Sequence, residues 1–288
     1  MSAIDFAKIQ KQMRAEMAAK RAAAAAPAQA AEPEPEPDVE SEPPRTEKGG
    51  QSVRATEMLR ALHIDAIDVE RYRCRSTTNG TSPRDVFYIP QVLGRTEEEA
   101  LVSAAAEHDW VQLRDRRLQC HGGTVLPEGT VAEPLPPHLM YLSKALQNAG
   151  VFDAEHPPNH CLVNEYSPCQ GIVPHRDGPL YYPTVAILSL QSPIVFDFWT
   201  SAAAAADPQV QPALSLLLEP RSLLVFRGDA YADYHHAIAM RERSQQACST
   251  GLSLPVCLRQ TRICSSFTLS PFSLSCLQAA CVLNPVFR

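Results

Sequence analysis

The chain has 288 residues, 45% hydrophobic and 20% charged, enough apolar material for one sizeable domain or two small ones. Its formal charge is −6, and Glu32, Glu34, Glu36, Asp38, Glu40 and Glu42 supply that whole excess in one run without a base. The remainder is near neutral, which excludes a strongly basic nucleic-acid-binding domain in the totals and leaves room only for a local basic stripe.

No stretch reaches the roughly 18 to 20 uncharged apolar residues that a membrane helix needs. Met1 to Lys20 is amphipathic and charged, unlike a secretory leader. The nine cysteines are odd in number, irregularly spaced and without a CxxC pair, in a chain too long to need disulfide staples. The expectation is a soluble protein of nucleus and cytoplasm, with reduced thiols and no membrane contact.

In chain order, Ile4 to about Ala26 is rich in helix formers, with Ile4, Phe6, Ile9 and Met13 on one face. It reads as a marginal solvated helix or a short partner-binding one, the protein partner being the sharper reading. Glu32-Pro33-Glu34-Pro35-Glu36-Pro37 then makes an extended, self-repelling linker, so residues 1–50 are expected to be a disordered extension. Residues 51–72 carry a second helical pattern with Met58, Leu59, Leu62 and Ile64 as its stripe, and 51–85 is expected to be a helical linker region.

The main domain is placed from Val86. Val86 to Ile89 reads as a strand, and Thr96-Glu97-Glu98-Glu99 as a capping box opening a helix toward His108. Leu135-Pro136-Pro137 precedes a second helix through about Gln147. Strand candidates follow at Cys161 to Tyr166, Ile172 to Asp177, Thr184 to Leu190, Ile194 to Trp199, Leu214 to Leu218, Ser222 to Phe226 and around His236, with Glu219-Pro220-Arg221 as a tight hairpin. Many short strands after two helices predict an α+β domain built on a sandwich or jelly roll with covering helices. No βα alternation is present, which argues against a Rossmann domain.

His175-Arg176-Asp177 is the tripeptide with the most chemistry. On a strand, residues i and i+2 share a face, so the imidazole and the carboxylate project together while Arg176 turns away. Two histidines and one carboxylate on one face of an octahedral ion leave three positions open, the arrangement of non-heme Fe(II) oxygenases. The third ligand is His236 or its neighbour His235, of which only one can enter the site from a strand. HxD by itself is common, and the bland alternative is a solvated strand end.

The segment from Asn159 to Trp199, NHCLVNEYSPCQGIVPHRDGPLYYPTVAILSLQSPIVFDFW, resembles the AlkB family of Fe(II)/2-oxoglutarate dioxygenases. So do LSLLLEPRSLLVFRG from Leu214 and WVQLRDRRLQCHGG from Trp110, giving a likeness over 86–263. The resemblance implies a double-stranded β-helix, or jelly roll, with His175, Asp177 and His236 as iron ligands. It also implies Asn164 and Tyr166 (Asn-x-Tyr) and Arg262 (Thr-Arg-Ile) as contacts to 2-oxoglutarate. A dicarboxylate entering a low-dielectric barrel must have its charges paired, which a guanidinium does with two parallel bonds.

After Arg262 the chain departs from that pattern. The family places a second arginine six residues on, whereas this chain has Thr268, and residues 264–288 form a Ser-, Leu- and Cys-rich tail with no alignment. The second arginine would hold the carboxylate nearest the metal. Losing one charge-assisted bond costs about 1.5 to 3 kcal/mol, roughly ten- to a hundredfold in affinity.

The resemblance implies Fe(II), 2-oxoglutarate and O2 as reactants and oxidative demethylation of alkylated DNA or RNA as the activity, single strands being easier to reach because a paired base must be flipped. Arg114, Arg116 and Arg117 are expected to contact phosphates from a lid hinged at Gly122 and Gly123, and Tyr181 and Tyr182 to stack on a base. The alternatives are a catalytically weak or inactive nucleic-acid-binding module of the same fold, and a protein hydroxylase or demethylase.

Overall fold

Short runs that are apolar at consecutive positions put apolar side chains on both faces of a strand, which requires a sheet covered on two sides. The computed structural model describes residues 67–74, 82–126, 129–240 and 279–284, with backbone alone for 125, 126, 129, 130 and 279–284. Its helices are α1 (Arg95–Ala106), α2 (Pro137–Asn148) and the short α3 (Ala202–Ala206) and α4 (Asp229–Ala232). Its strands are β1 (Val86–Ile89), β2 (Val111–Gln112), β3 (Arg117–His121), β4 (Gly123–Leu126), β5 (Gly129–Ala132), β6 (His160–Glu165) and β7 (Ile172–His175). There follow β8 (Thr184–Ser189), β9 (Ile194–Trp199), β10 (Leu214–Leu218), β11 (Leu223–Arg227), β12 (His235–Ile238) and β13 (Ala279–Asn284).

A seven-stranded sheet, β1-β11-β8-β13-β6-β3-β2, faces a four-stranded one, β10-β9-β12-β7, and β4-β5 is a separate hairpin. From β6 onward the chain passes repeatedly between the two sheets, only β9 and β10 being consecutive in one of them, the antiparallel jelly-roll arrangement expected from the strand spacing. Val86, Tyr88, Val185 and Ile187 meet Phe196, Phe198, Leu216 and Ile238 between the sheets. One residue over, Phe87, Ile89, Ala186 and Leu188 face the other way, against Leu101 of α1 and Leu139, Leu142 and Leu146 of α2. Each such fully buried side chain is worth about 1.5 to 3 kcal/mol of transfer free energy.

Several expectations are corrected. α1 begins at Arg95 with Gly94 as its N-cap and no side-chain cap, so the capping box at Thr96 does not form. Glu98, the third box residue, is buried instead: its Oε1 accepts from the Gln191 N–H (2.7 Å) and its Oε2 from Arg221 Nη1 (2.7 Å). Glu219-Pro220-Arg221 is not a hairpin, because β10 and β11 lie in different sheets and the segment carries the chain between them, with Arg221 at φ 65.

The expected lid is also different. Arg117–His121 is a sheet strand paired with β6, and Gly122 (φ 93) and Gly123 (φ 117) are tight corners. An added Cβ at Gly122 would strike the Asn159 carbonyl, and one at Gly123 the Val131 carbonyl. Of the 51–72 pattern, the part up to residue 66 lies outside the described residues, as does the 1–50 extension, and Val69–Tyr72 is a 3-10 turn. Val69 and Cys74 are buried and Arg73 bridges to Phe87 and pairs with Asp85 (2.6 Å), so 69–74 packs on the domain. No helix among the described residues is long and apolar enough to cross a membrane.

Candidate metal centre

β7 and β12 pair antiparallel with His236 opposite His175, and the register slips between His236 and Ile238. The two imidazoles are therefore cross-strand neighbours, centroids 4.3 Å apart and edge to face. Strand β7 ends at His175, so Asp177 projects from the turn after it rather than from the strand itself. It still comes round to the pair: His236 Nε2 lies 3.9 Å from Asp177 Oδ1, and ligand atoms of all three lie within 4.8 Å of one another. Among the described residues this is the one such group of three metal-ligating side chains.

The surroundings set the protonation of the site. Burial pushes His175 down to about 3, helped by His236 and opposed by Asp177. His236 is likewise pushed down to about 3, by burial and then by His235. Both are neutral at pH 7, so His236 and Asp177 are not an ion pair. Only a neutral imidazole has a lone pair to give a metal. His175 Nδ1 lies 3.0 Å from the Val173 carbonyl, which can only accept, so the proton sits on Nδ1 and Nε2 is left for coordination. Burial raises Asp177 above its usual range, against His175, and a cation at the centre would reverse that cost. Two neutral imidazoles and a carboxylate that lacks a cation fit a divalent iron.

His235 faces the other way. It lines an outer cavity with Pro174, Arg176, Tyr231 and Ala232, and its buried Nδ1 has no partner among the described residues. His175 and Asp177 line both that cavity and an inner one, so the cluster stands at the wall between them.

The inner cavity is closed by Ile172, Val185, Ile187, Phe196 and Ile238, and its polar lining includes Arg116, Asn164, Tyr166 and Ser189. Asn164 and Tyr166, the Asn-x-Tyr pair, both reach it from the end of β6. Tyr166 is pushed up to about 12 by burial, against the nearby Arg116 charge. Arg262 lies outside the described residues. The seat between β6 and β8 is taken by β13, drawn from the tail that had no expected place, with Ala280 in register with both Asn164 and Ser189.

The three arginines expected at phosphates part company. Arg114 is 94% exposed and only 3.7 Å from Asp115. Arg117 pairs with Glu165 and lies over the Trp110 ring at 4.5 Å. Arg116 is 7% exposed, turned into the inner cavity, with Nε donating to Asn164 Oδ1 at 2.9 Å. Neighbours on a strand must diverge, and that rule, applied to Arg116 and Arg117, would have separated them. The tyrosines differ from expectation too. Tyr181 is buried beside His160, and Tyr182 donates to Asp153 Oδ2 (3.0 Å) and stacks on His156, which occupies the face meant for a base. The aromatic residue on the outer cavity is Tyr231, whose hydroxyl donates to the Gly178 carbonyl (3.1 Å), and no sequence signal singled it out.

The profile of the 2OG-Fe(II) oxygenase superfamily matches residues 102–264, more than half of the chain. The chain is 37% identical over 212 residues to the "Probable RNA/DNA demethylase ALKBH6" of Danio rerio, covering 68% of this chain and 88% of that protein. It is 29% identical over 175 residues to the uncharacterized protein L905 of Acanthamoeba polyphaga mimivirus, covering 59% of this chain and 78% of that protein. The solved structure of OsALKBH1 aligns at 14% identity with a TM-score of 0.44, over 70% of this chain and 98% of that one. With the profile covering more than half of the chain and the AlkB relative covered over 88% of its own length, this chain belongs to the 2OG-Fe(II) oxygenase superfamily and is of the AlkB type, a group that uses Fe(II) and 2-oxoglutarate.

Proposed function

We propose that the chain oxidatively removes an alkyl group from a base in single-stranded DNA or RNA, with His175, Asp177 and His236 holding Fe(II), and that it does so in nucleus and cytoplasm. The observation that carries the reading is the convergence of the three ligands at the junction of two cavities, His175 and Asp177 lining both. Bound Fe(II) and 2-oxoglutarate supply, with O2, the oxidation of a C–H bond while the cosubstrate loses CO2 and becomes succinate. Hydroxylation of an N-alkyl carbon leaves a group that departs as an aldehyde.

The chain's own residues do the positioning. The His175 Nδ1–H bond to Val173 fixes the ring, and stacking on Phe196 (5.5 Å) fixes His236. The apolar walls of the inner cavity keep water from a cosubstrate anchored at Asn164 and Tyr166. On the outer side lie the Tyr231 ring and Arg176, tied to the Ala232 carbonyl (2.9 Å), a fixed positive charge, while Arg114, exposed beside Asp115, can meet a phosphate. A base must leave its stack to reach a buried metal, so a single strand costs less to bind.

The test is succinate and formaldehyde release under O2 with an N-methylated single-stranded oligonucleotide, its duplex and a methylated peptide. Equal amounts of both products, fastest with the single strand, are expected. Succinate with no aldehyde from either nucleic acid would sink the demethylase reading, and turnover of the peptide alone would move the substrate to protein. One observation favours a non-catalytic binding module instead: β13 brings no arginine between β6 and β8. Failure to form succinate with any substrate would support it.

A further inference from the structure

We infer that Arg116 is the cation that holds the metal-proximal carboxylate of 2-oxoglutarate in this chain, together with Asn164. This rests on the 2-oxoglutarate reading of the inner cavity and names a residue that the family pattern does not. The β3–β6 register explains how it gets there. Leu118 lies opposite Asn164, so Arg116, two residues earlier, belongs to the row facing the cavity.

The guanidinium is buried and anchored at one point only. Its Nε donates to Asn164 Oδ1, and the two Nη groups have no acceptor among the described residues. A buried cation of this kind is costly until an anion meets it. Among the described residues Asp177 is the one carboxylate lining the cavity, and it belongs to the cluster that would hold the metal. Glu165 faces away and takes Arg117.

Charge balance among the described residues favours an anionic ligand: a divalent cation, the Asp177 carboxylate and Arg116, with neutral imidazoles, would leave a net positive charge that a dicarboxylate offsets. The strand between β6 and β8 offers no replacement, since Ala279-Ala280-Cys281-Val282-Leu283-Asn284 has no base. Arg116 lines the same cavity as His175, Asp177 and His236, with Asn164 on β6 between β3 and the rest of the sheet. A planar fork with Nε held by an amide presents its Nη side in a fixed direction, which suits bidentate capture of a carboxylate.

The experiment is anaerobic calorimetric titration of the full chain, loaded with Fe(II), comparing 2-oxoglutarate with pyruvate, a 2-oxo acid without the distal carboxylate. Arg116→Gln is expected to weaken both ligands by the same ten- to hundredfold, with affinity for the metal alone retained. A loss confined to 2-oxoglutarate would overturn the assignment in favour of the distal carboxylate. Unchanged affinity for both would overturn it altogether. If Gln prevents folding, Arg116→Lys, which keeps the charge and loses the fork, should show an intermediate loss at an unchanged thermal midpoint, and wild-type affinity in that variant also counts against the proposal. Failure of the unaltered chain to bind 2-oxoglutarate while binding metal would instead defeat the reading of the cavity itself.

Discussion

His235 and His236 are adjacent, and the strand pleat gives them opposite surroundings. His236 packs on Phe196 and Phe226 within reach of Asp177, whereas His235 looks onto the outer cavity. His236→Ala is expected to leave the purified chain without bound iron or manganese, and His235→Ala to keep near-stoichiometric metal. Metal analysis after desalting checks both, and retention of metal by the first variant would move the third ligand elsewhere. The same alternation separates Arg116 from Arg117, so a single amino-acid step decides whether a charge serves the cavity or the surface.

Between elements, polar anchors hold helix to sheet. Glu98, in the first turn of α1, accepts from Arg221 at the crossing from β10 to β11 and from the Gln191 amide before β9. Glu98→Ala would strand a largely buried guanidinium and an amide, at a cost of about 3 kcal/mol, the range for removing one partner of a buried pair. Urea unfolding should show the midpoint fall with an unchanged slope. Strand β13 is a different kind of support, because it supplies ladders to β6 and β8 at once. A chain ended at Gln278 leaves two central strands without that neighbour, and loss of the cooperative transition with a rise in dye binding to exposed apolar surface is expected.

At the scale of the whole molecule, a histidine cluster joins four elements. His108 follows α1, His121 ends β3, His138 lies in α2 and His160 starts β6, with ring centroids 4.9 Å apart for His108 and His121 and 5.7 Å for His108 and His138. Burial pushes His121, His138 and His160 each down to about 4 from an ordinary 6.5, helped by neighbouring imidazoles at His121 and His138 and opposed at His160 by a bond with Gly123. Above pH 6.5 neither the folded nor the unfolded chain holds these protons. Between 6.5 and 4 only the unfolded chain takes them up, so stability falls with pH, by up to about 1.4 kcal/mol per unit for each histidine, and levels off below 4. His175 and His236 of the metal-free chain act with the same sign. Urea midpoints from pH 7 to 4 should therefore drop, and His138→Leu should flatten the slope by one proton's share. An unchanged slope would mean His138 is protonated in the folded state.

Much of this was legible along the chain, for local reasons. Runs such as Ile194–Trp199 and Leu214–Leu218 show their strands by composition and punctuation, and Pro136-Pro137 marks the start of α2. His175-x-Asp177 put two ligand types close together in sequence, but so common a pair becomes a candidate metal centre only with His236 brought opposite His175 by the β7–β12 ladder. What depends on distant partners was not legible. The fate of Glu98 needed Arg221, the inward turn of Arg116 needed the β3–β6 register, and the stacking that takes Tyr182 from the pocket needed His156. The seat of Ala279–Asn284 is the clearest case: a short apolar run carries no signal for which edge it will join. Only two open ladders, on β6 and β8, select it, since unpaired backbone groups inside a sheet are the larger cost.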